Sequence, residues 1–166
     1  MKSYSRRFFY AVLLLLISSA LAPAQSFDQP KEARMNHASG AFDVKITPQD
    51  NSSQSSTLGR FILDKQYHGD LEAKSEGQML SAGTEVKGSG AYVAIERVTG
   101  TLSGRSGSFT LQHAGTMTQD KRSLTITVVP DSGTGQLTGI TGSMKINIAP
   151  GGKHTYDFEY ALPNPG

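Results

Sequence analysis

The chain has 166 residues and no cysteine, which fits one domain and excludes disulfides, thiolate zinc sites and covalent haem attachment. Eighteen glycines and a hydrophobic fraction of 37% favour short strands joined by tight turns over a helical bundle. The formal charge of +2 makes the whole chain mildly basic.

The first 24 residues have the three parts of a secretory signal peptide. Lys2, Arg6 and Arg7 form a positive region, residues 8–17 form an apolar core, and small residues occupy 22–24. A membrane-anchoring helix is the alternative, but the uncharged stretch barely reaches the roughly 17 to 25 residues that spanning requires. We therefore expect export to the periplasm or the extracellular space, without a stable membrane anchor.

Removal of this segment changes the charge balance. It takes away three of the 16 Lys and Arg residues and none of the 14 Asp and Glu residues, so the remaining chain carries a formal charge of −1. Nucleic acids and anionic membranes require a clustered basic face, whereas the remaining basic residues are scattered singly apart from Lys121-Arg122. We therefore predict no nucleic-acid partner.

Residues 25–39 are polar and lack periodicity, which predicts a flexible leader ahead of a single domain at 40–166. Residues 41–47 then alternate between apolar and polar side chains, a pattern typical of a strand with one buried face. A polar loop follows at 48–56.

The centre of the chain predicts strands separated by glycine-containing turns. Strand patterns cover residues 59–67, 70–73 and 78–82, with a hinge at His68-Gly69 and a break at 75–77. The clearest hairpin consists of residues 90–100 and 108–113, joined by a turn at 104–107.

The last strand patterns cover residues 123–129, 136–142, 143–148 and 154–162. No segment after the signal peptide has a convincing helical stripe. About eight strands with a turn roughly every ten residues indicate an all-β fold, either a sandwich or a small closed antiparallel barrel.

Four long segments resemble the family known as domain of unknown function 3224. They are residues 64–73 (DKQYHGDLEA), 77–117, 128–144 (VVPDSGTGQLTGITGSM) and 154–162 (HTYDFEYAL), which together extend over nearly all of the predicted domain. The resemblance implies a compact antiparallel β-barrel of the allene oxide cyclase type, related in architecture to lipocalins, with no assigned activity.

The interior of an eight-stranded barrel is either filled by side chains or just wide enough for one small ligand. Polar residues on apolar strand faces are therefore the candidate ligand-binding residues. His154, Tyr156 and Tyr160 share such a face on the last strand, and His113 shares one with Phe109. The alternative is that each histidine lies hydrated at the rim of the barrel.

Glu96 and Arg97 are neighbours on one strand and must face opposite ways. One of them joins the inward side chains, either with Tyr92 or with Val93. A charge inside a small barrel is costly unless it is paired, so the inward residue becomes a candidate site residue. In the alternative, Arg97 faces solvent or a neighbouring subunit while Glu96 pairs across strands. Lys65 is interpreted as an ordinary cross-strand charge.

The chemistry-bearing motifs are incomplete. Residues 104–108 begin like a nucleophile elbow but lie in a predicted hairpin, and residues 133–135 lack the third glycine of a dinucleotide site. The four histidines have no paired ligand spacing, so neither a metal site nor a cofactor is predicted.

Three classes of function remain. We favour a binding module that holds a small hydrophobic or amphipathic molecule in a cavity lined by His113, Tyr156 and Tyr160. The second class is an isomerase or cyclase, suggested by the resemblance to allene oxide cyclase, with Glu96 or His113 as acid or base. The third is a structural homo-oligomer that assembles through the outer face of the barrel.

Overall fold

The computed structural model describes residues 34–49, 57–119 and 121–163, where eight antiparallel strands close into a barrel. Each strand pairs with the next one along the chain, and β8 pairs back onto β1. The all-β fold that the strand pattern predicts and the closed barrel that the family resemblance implies are both confirmed. The predicted signal peptide at 1–24 lies outside the described residues. The strands are β1 (Met35–Pro48), β2 (Leu58–Gly69), β3 (Leu71–Gly83), β4 (Gly90–Leu102), β5 (Arg105–Thr118), β6 (Lys121–Val128), β7 (Thr141–Ile148) and β8 (His154–Ala161).

Alternation along the strands places one set of side chains inside the barrel. Large aromatic residues fill one end of this interior, among them Tyr67, Phe109, Tyr156 and Phe158, each with almost no exposed surface. The rings of Phe109 and Phe158 stack with their centroids 5.6 Å apart. Aromatic burial of this kind is the main source of stability in a barrel without disulfides.

The connection between β6 and β7 closes the aromatic end. β6 and β7 share only one register pair. The segment that connects them pairs with β5. The Thr134 amide donates to the Ser108 carbonyl at 2.8 Å, and the two side-chain hydroxyls lie 2.7 Å apart. The segment inserts Leu137 and Ile140 into the core, where both are almost fully buried. This end of the interior is therefore packed.

Several predicted boundaries differ from the structure. β1 begins at Met35, so residues 35–39 of the predicted leader belong to a strand that pairs with β8. Most of residues 136–142 form a 3₁₀ turn (Gly135–Leu137) and a loop rather than a strand. Apart from that turn the described ranges contain no helix, and none of them holds a helix long and apolar enough to cross a membrane.

The predicted break at 75–77 is wrong, because β3 runs through it without interruption. Gly77 lies directly opposite Glu96 in the ladder between β3 and β4. A Cβ atom on Gly77 would lie 2.7 Å from the Glu96 Cβ, closer than real Cβ contacts permit. The glycine therefore allows two strands to approach at a buried charge and does not interrupt the sheet.

Candidate functional site

A buried ion pair lies inside the barrel. Glu96 on β4 is completely buried, and its Oε2 lies 2.6 Å from Nζ of Lys65 on β2. The Tyr67 hydroxyl donates to the other carboxylate oxygen at 2.7 Å, and Lys65 donates to Tyr67 Oη at 3.3 Å. The ammonium also lies 5.2 Å from the ring centroid of Phe42. The charges thus compensate each other, as burial in a low-dielectric interior requires.

Two polar atoms beside this ion pair have no hydrogen-bond partner among the described residues. His113 Nε2 on β5 lies 3.6 Å from Glu96 Oε1, which is too long for a hydrogen bond. Ser75 Oγ on β3 is also without a partner, and Ser75 lies opposite Lys65 in the ladder. Unsatisfied buried polar atoms are uncommon and costly. Both side chains nevertheless belong to the buried polar cluster, because His113 lowers the pKa of Glu96 and Ser75 lowers that of Tyr67.

The surroundings of Glu96 keep it ionised. Burial acts to raise its pKa, but His113 and the Lys65 ammonium outweigh burial and lower the pKa of Glu96 to about 2. Burial, and then the Glu96 carboxylate, raise the pKa of Tyr67 well above its usual value. Tyr67 consequently stays protonated and continues to donate its hydrogen bond to the carboxylate.

The end of the barrel opposite the aromatic core is open. Four large apolar side chains occupy inward-facing positions there and are nevertheless 40% to 56% exposed: Ile46, Met117, Leu124 and Ile148. A cavity of about 300 Å³ lies at this end. We call this cavity the open cup, and its inward-facing lining consists of Phe61, Met79, Ser81, Tyr92, Gly115 and Met117.

The open cup lies next to the buried ion pair. The register places Phe61, Met79, Ala94 and His113 side by side across four strands, so two residues of the cup belong to the same row as His113. Ala94, the smallest of the four, and His113 are both almost completely buried. Burial raises the pKa of Tyr92, and the Glu96 carboxylate raises it further. The cup therefore has an apolar wall and lies in the electrostatic field of the buried charges.

Gly115 shapes the wall of the cup. It lies opposite Tyr92 in the ladder between β4 and β5, and a Cβ atom at this position would overlap the tyrosine ring. The absence of a side chain thus lets the ring lie against β5. Because the ring occupies this space, Tyr92 narrows the cup and presents an aromatic surface to it.

The structure brings together three of the seven residues that the sequence identifies. Tyr92, Glu96 and His113 lie at the cup or directly beside it. Tyr156 and Tyr160 belong to the packed core, and their hydroxyls are already engaged: Tyr156 Oη accepts from the Leu71 amide at 2.8 Å, and Tyr160 donates to Ser103 at 3.2 Å. The cavity expected between these tyrosines and His113 is thus filled by aromatic side chains at the tyrosine end.

The other two predicted residues lie apart from the cup. His154 is at the beginning of β8, with its ring centroid 5.0 Å from that of Phe42. Arg97 faces outward, because Glu96 takes the inward position, and its guanidinium donates to Ser108 Oγ at 2.7 Å. Arg97 is therefore not a residue of the barrel interior.

Sequence reasoning missed the roles of Lys65, Tyr67 and Ser75. The available signal was the position of Lys65 on the same strand face as Phe61 and Leu63, which makes it an inward charge once that face is buried. Its partner is on another strand, and the spacing along the chain gives no indication of the 2.6 Å contact with Glu96. Among the residues that the structure describes, no group of three or more His, Asp or Glu could hold a metal ion.

Comparisons with known proteins agree with this fold. A family model described as "Protein of unknown function (DUF3224)" matches residues 38–160. A crystal structure of a protein with unknown function from the DUF3224 family of Shewanella oneidensis MR-1 is 48% identical in sequence. The match covers 80% of this chain and all of that chain, with a TM-score of 0.74. No curated protein matches the chain.

Proposed function

The chain belongs to the DUF3224 family, and we propose that this member binds a small, partly apolar molecule in the open cup of its barrel. The observation that carries the proposal is the exposure of inward-facing apolar side chains at one end only. At the other end the inward-facing residues are packed against one another. Of these exposed side chains Met117 lines the cup itself, and apolar surface exposed in a cavity is unfavourable in water and favours an apolar ligand.

The lining of the cup supports a ligand with an apolar body and one polar group. Phe61, Met79 and Met117 offer apolar contacts, and methionine adapts to irregular shapes. Ser81, which also lines the cup, offers a hydroxyl to a polar group of the ligand. The volume of about 300 Å³ is at the lower end of the range for ligand pockets and fits a small molecule.

Acid–base catalysis has less support. A catalytic acid or base works best when its pKa lies near the working pH, whereas the pKa of Glu96 is lowered to about 2. Its carboxylate is also held by Lys65 and Tyr67 and has no exposed surface. These contacts make Glu96 a structural partner of the ligand site rather than a group that transfers protons.

Octanol and octanoate form a matched pair of probes for this proposal, because they share a chain and differ in charge. We expect both to give saturation-transfer NMR signals with the purified protein. Met117→Glu, which adds a charge to the cup, should weaken octanol binding by about tenfold or more because it hydrates the apolar wall.

Thr116→Glu is the matched control for that experiment, since Thr116 adjoins Met117 on β5 but faces outward. This variant should bind octanol as the unmodified protein does. Octanol that gives no signal with the unmodified protein, or that binds the two variants equally, would show that the cup is not the binding site. A preference for octanoate or for octanol reports whether the cup favours an anion.

We also propose that the protein is exported with loss of about the first 24 residues. The support is the charged, apolar and small-residue order of that segment. Expressed in a bacterium with an intact secretory pathway, the full chain should appear in the periplasm at a mass that corresponds to a start near Gln25. The double variant Leu13→Arg/Leu15→Arg should block export, because it interrupts the apolar core of the segment. An intact chain that retains Met1 in the cytoplasm would contradict this proposal.

A further inference from the structure

The outer surface of four neighbouring strands, β2 to β5, carries an apolar groove with a volume of about 1010 Å³. Leu80 on β3 and Val93 on β4 lie directly opposite each other in the ladder, with Ile95 beside them on β4. All three side chains point away from the interior and are more than half exposed. We call this surface the outer groove. Adjacent exposed apolar side chains of this size indicate a surface that binds another macromolecule.

Charged residues surround the apolar centre of the outer groove. Asp64 and Glu76 lie directly opposite each other, and neither forms an ion pair within the described residues. Glu76 also lies opposite Arg97, whose guanidinium contacts Ser108 instead. Arg60 lies opposite Leu80 on the other side of the groove. The groove thus carries two acidic and two basic side chains, with no net charge.

We propose that the outer groove is the contact surface between two copies of this chain related by a twofold axis. In such an interface the same patch meets itself, so it must be complementary to itself in shape and charge. A neutral groove whose opposite charges flank an apolar centre meets this condition. A uniformly acidic or basic partner would instead meet like charges on one side of the groove.

The register indicates how two copies would match. A twofold axis along the boundary between β3 and β4 places each β3 residue over the β4 residue of the same row. Glu76 then faces Arg97 of the partner subunit, and Leu80 faces Val93 of the partner subunit. Because of the twofold symmetry, each of these two contacts occurs twice in the dimer. The carboxylate that has no ion pair within one chain gains one, and the exposed apolar centre is removed from water.

Sedimentation equilibrium of the purified protein over a wide concentration range tests this inference. We expect a reversible monomer–dimer equilibrium. Ile95→Lys should raise the dissociation constant by about tenfold or more, because it places an ammonium opposite the neutral Gln78 of the partner subunit and so buries an unpaired charge in the apolar centre of the interface. Ser143→Lys is the matched control, since it adds the same charge to an exposed position on β7, away from the groove, and should leave the equilibrium unchanged.

A charge exchange tests the twofold arrangement itself. Glu76→Lys should weaken the dimer, and the double variant Glu76→Lys/Arg97→Glu should restore it, because the exchanged pair matches again across the axis. Circular dichroism checks that each variant retains the fold. A protein that is monomeric at every concentration overturns the inference in favour of a different occupant of the groove. A dimer that Ile95→Lys leaves intact also overturns it. The octanol experiment is independent of both outcomes.

Discussion

The variant Glu96→Gln is expected to lose about 3 to 5 kcal/mol of unfolding free energy, because removal of one partner of a buried ion pair leaves the other uncompensated. In this variant the Lys65 ammonium keeps its burial but loses the carboxylate 2.6 Å away. Small domains have only about 5 to 15 kcal/mol of stability in total, so the variant should unfold at a much lower urea concentration. Urea titration followed by circular dichroism measures the difference.

A matched variant and a double-mutant cycle make this prediction specific. Glu85→Gln makes the same change at an exposed carboxylate in the loop between β3 and β4, outside the outer groove, and should alter stability by no more than about 0.5 kcal/mol. Lys65→Met combined with Glu96→Gln should cost less than the sum of the two single changes, because the second change removes the group left unpaired by the first. Additive single changes would show that the two side chains do not depend on each other.

Acid should remove the contribution of the same carboxylate to stability. The pKa of Glu96 is lowered from 4.5 to about 2, so Glu96 favours the folded state fully above pH 4.5. This contribution decreases as the pH falls from about 4.5 to about 2, and the shift corresponds to about 3 kcal/mol. The difference in unfolding free energy between the unmodified protein and Glu96→Gln should therefore decrease over this interval.

Urea titrations of both proteins at several pH values between about 5 and 2 measure this decrease. Taking the difference between the two proteins cancels the titration of the other carboxyl groups, which are common to both. The lost contribution should be recovered when the pH is raised again. A difference that stays constant with pH would mean that Glu96 has the same proton affinity in the folded and unfolded states.

Local patterns were sufficient for most of the fold and for part of the site. Alternation in β4 and β5 and the glycine turn between them predicted the hairpin, which the structure confirms. The same alternation placed His113 on an apolar face and showed that only one of Glu96 and Arg97 could face inward. It did not indicate which one, because an isolated strand has two equivalent faces until other strands cover one of them.

Other features depend on contacts between distant parts of the chain. The sequence pattern predicts an interruption between strands at Gly77. The residue nevertheless lies within β3, because the Glu96 backbone approaches it from the next strand. The segment after β6 has strand-like residues, but it forms a turn and a loop because its amides donate to carbonyls three residues earlier and Leu137 packs into the core. Neither outcome follows from the intrinsic preferences of these residues.

The sequence by itself determined the class of fold, the approximate number of strands and the family, since these depend on residue order and side-chain alternation along one strand at a time. Only the tertiary structure decided that Lys65 pairs with Glu96, that the tyrosine end of the interior is packed, and that the other end is open. Closure of the barrel brings side chains from different strands within contact distance, and the volumes of those side chains then decide where space remains.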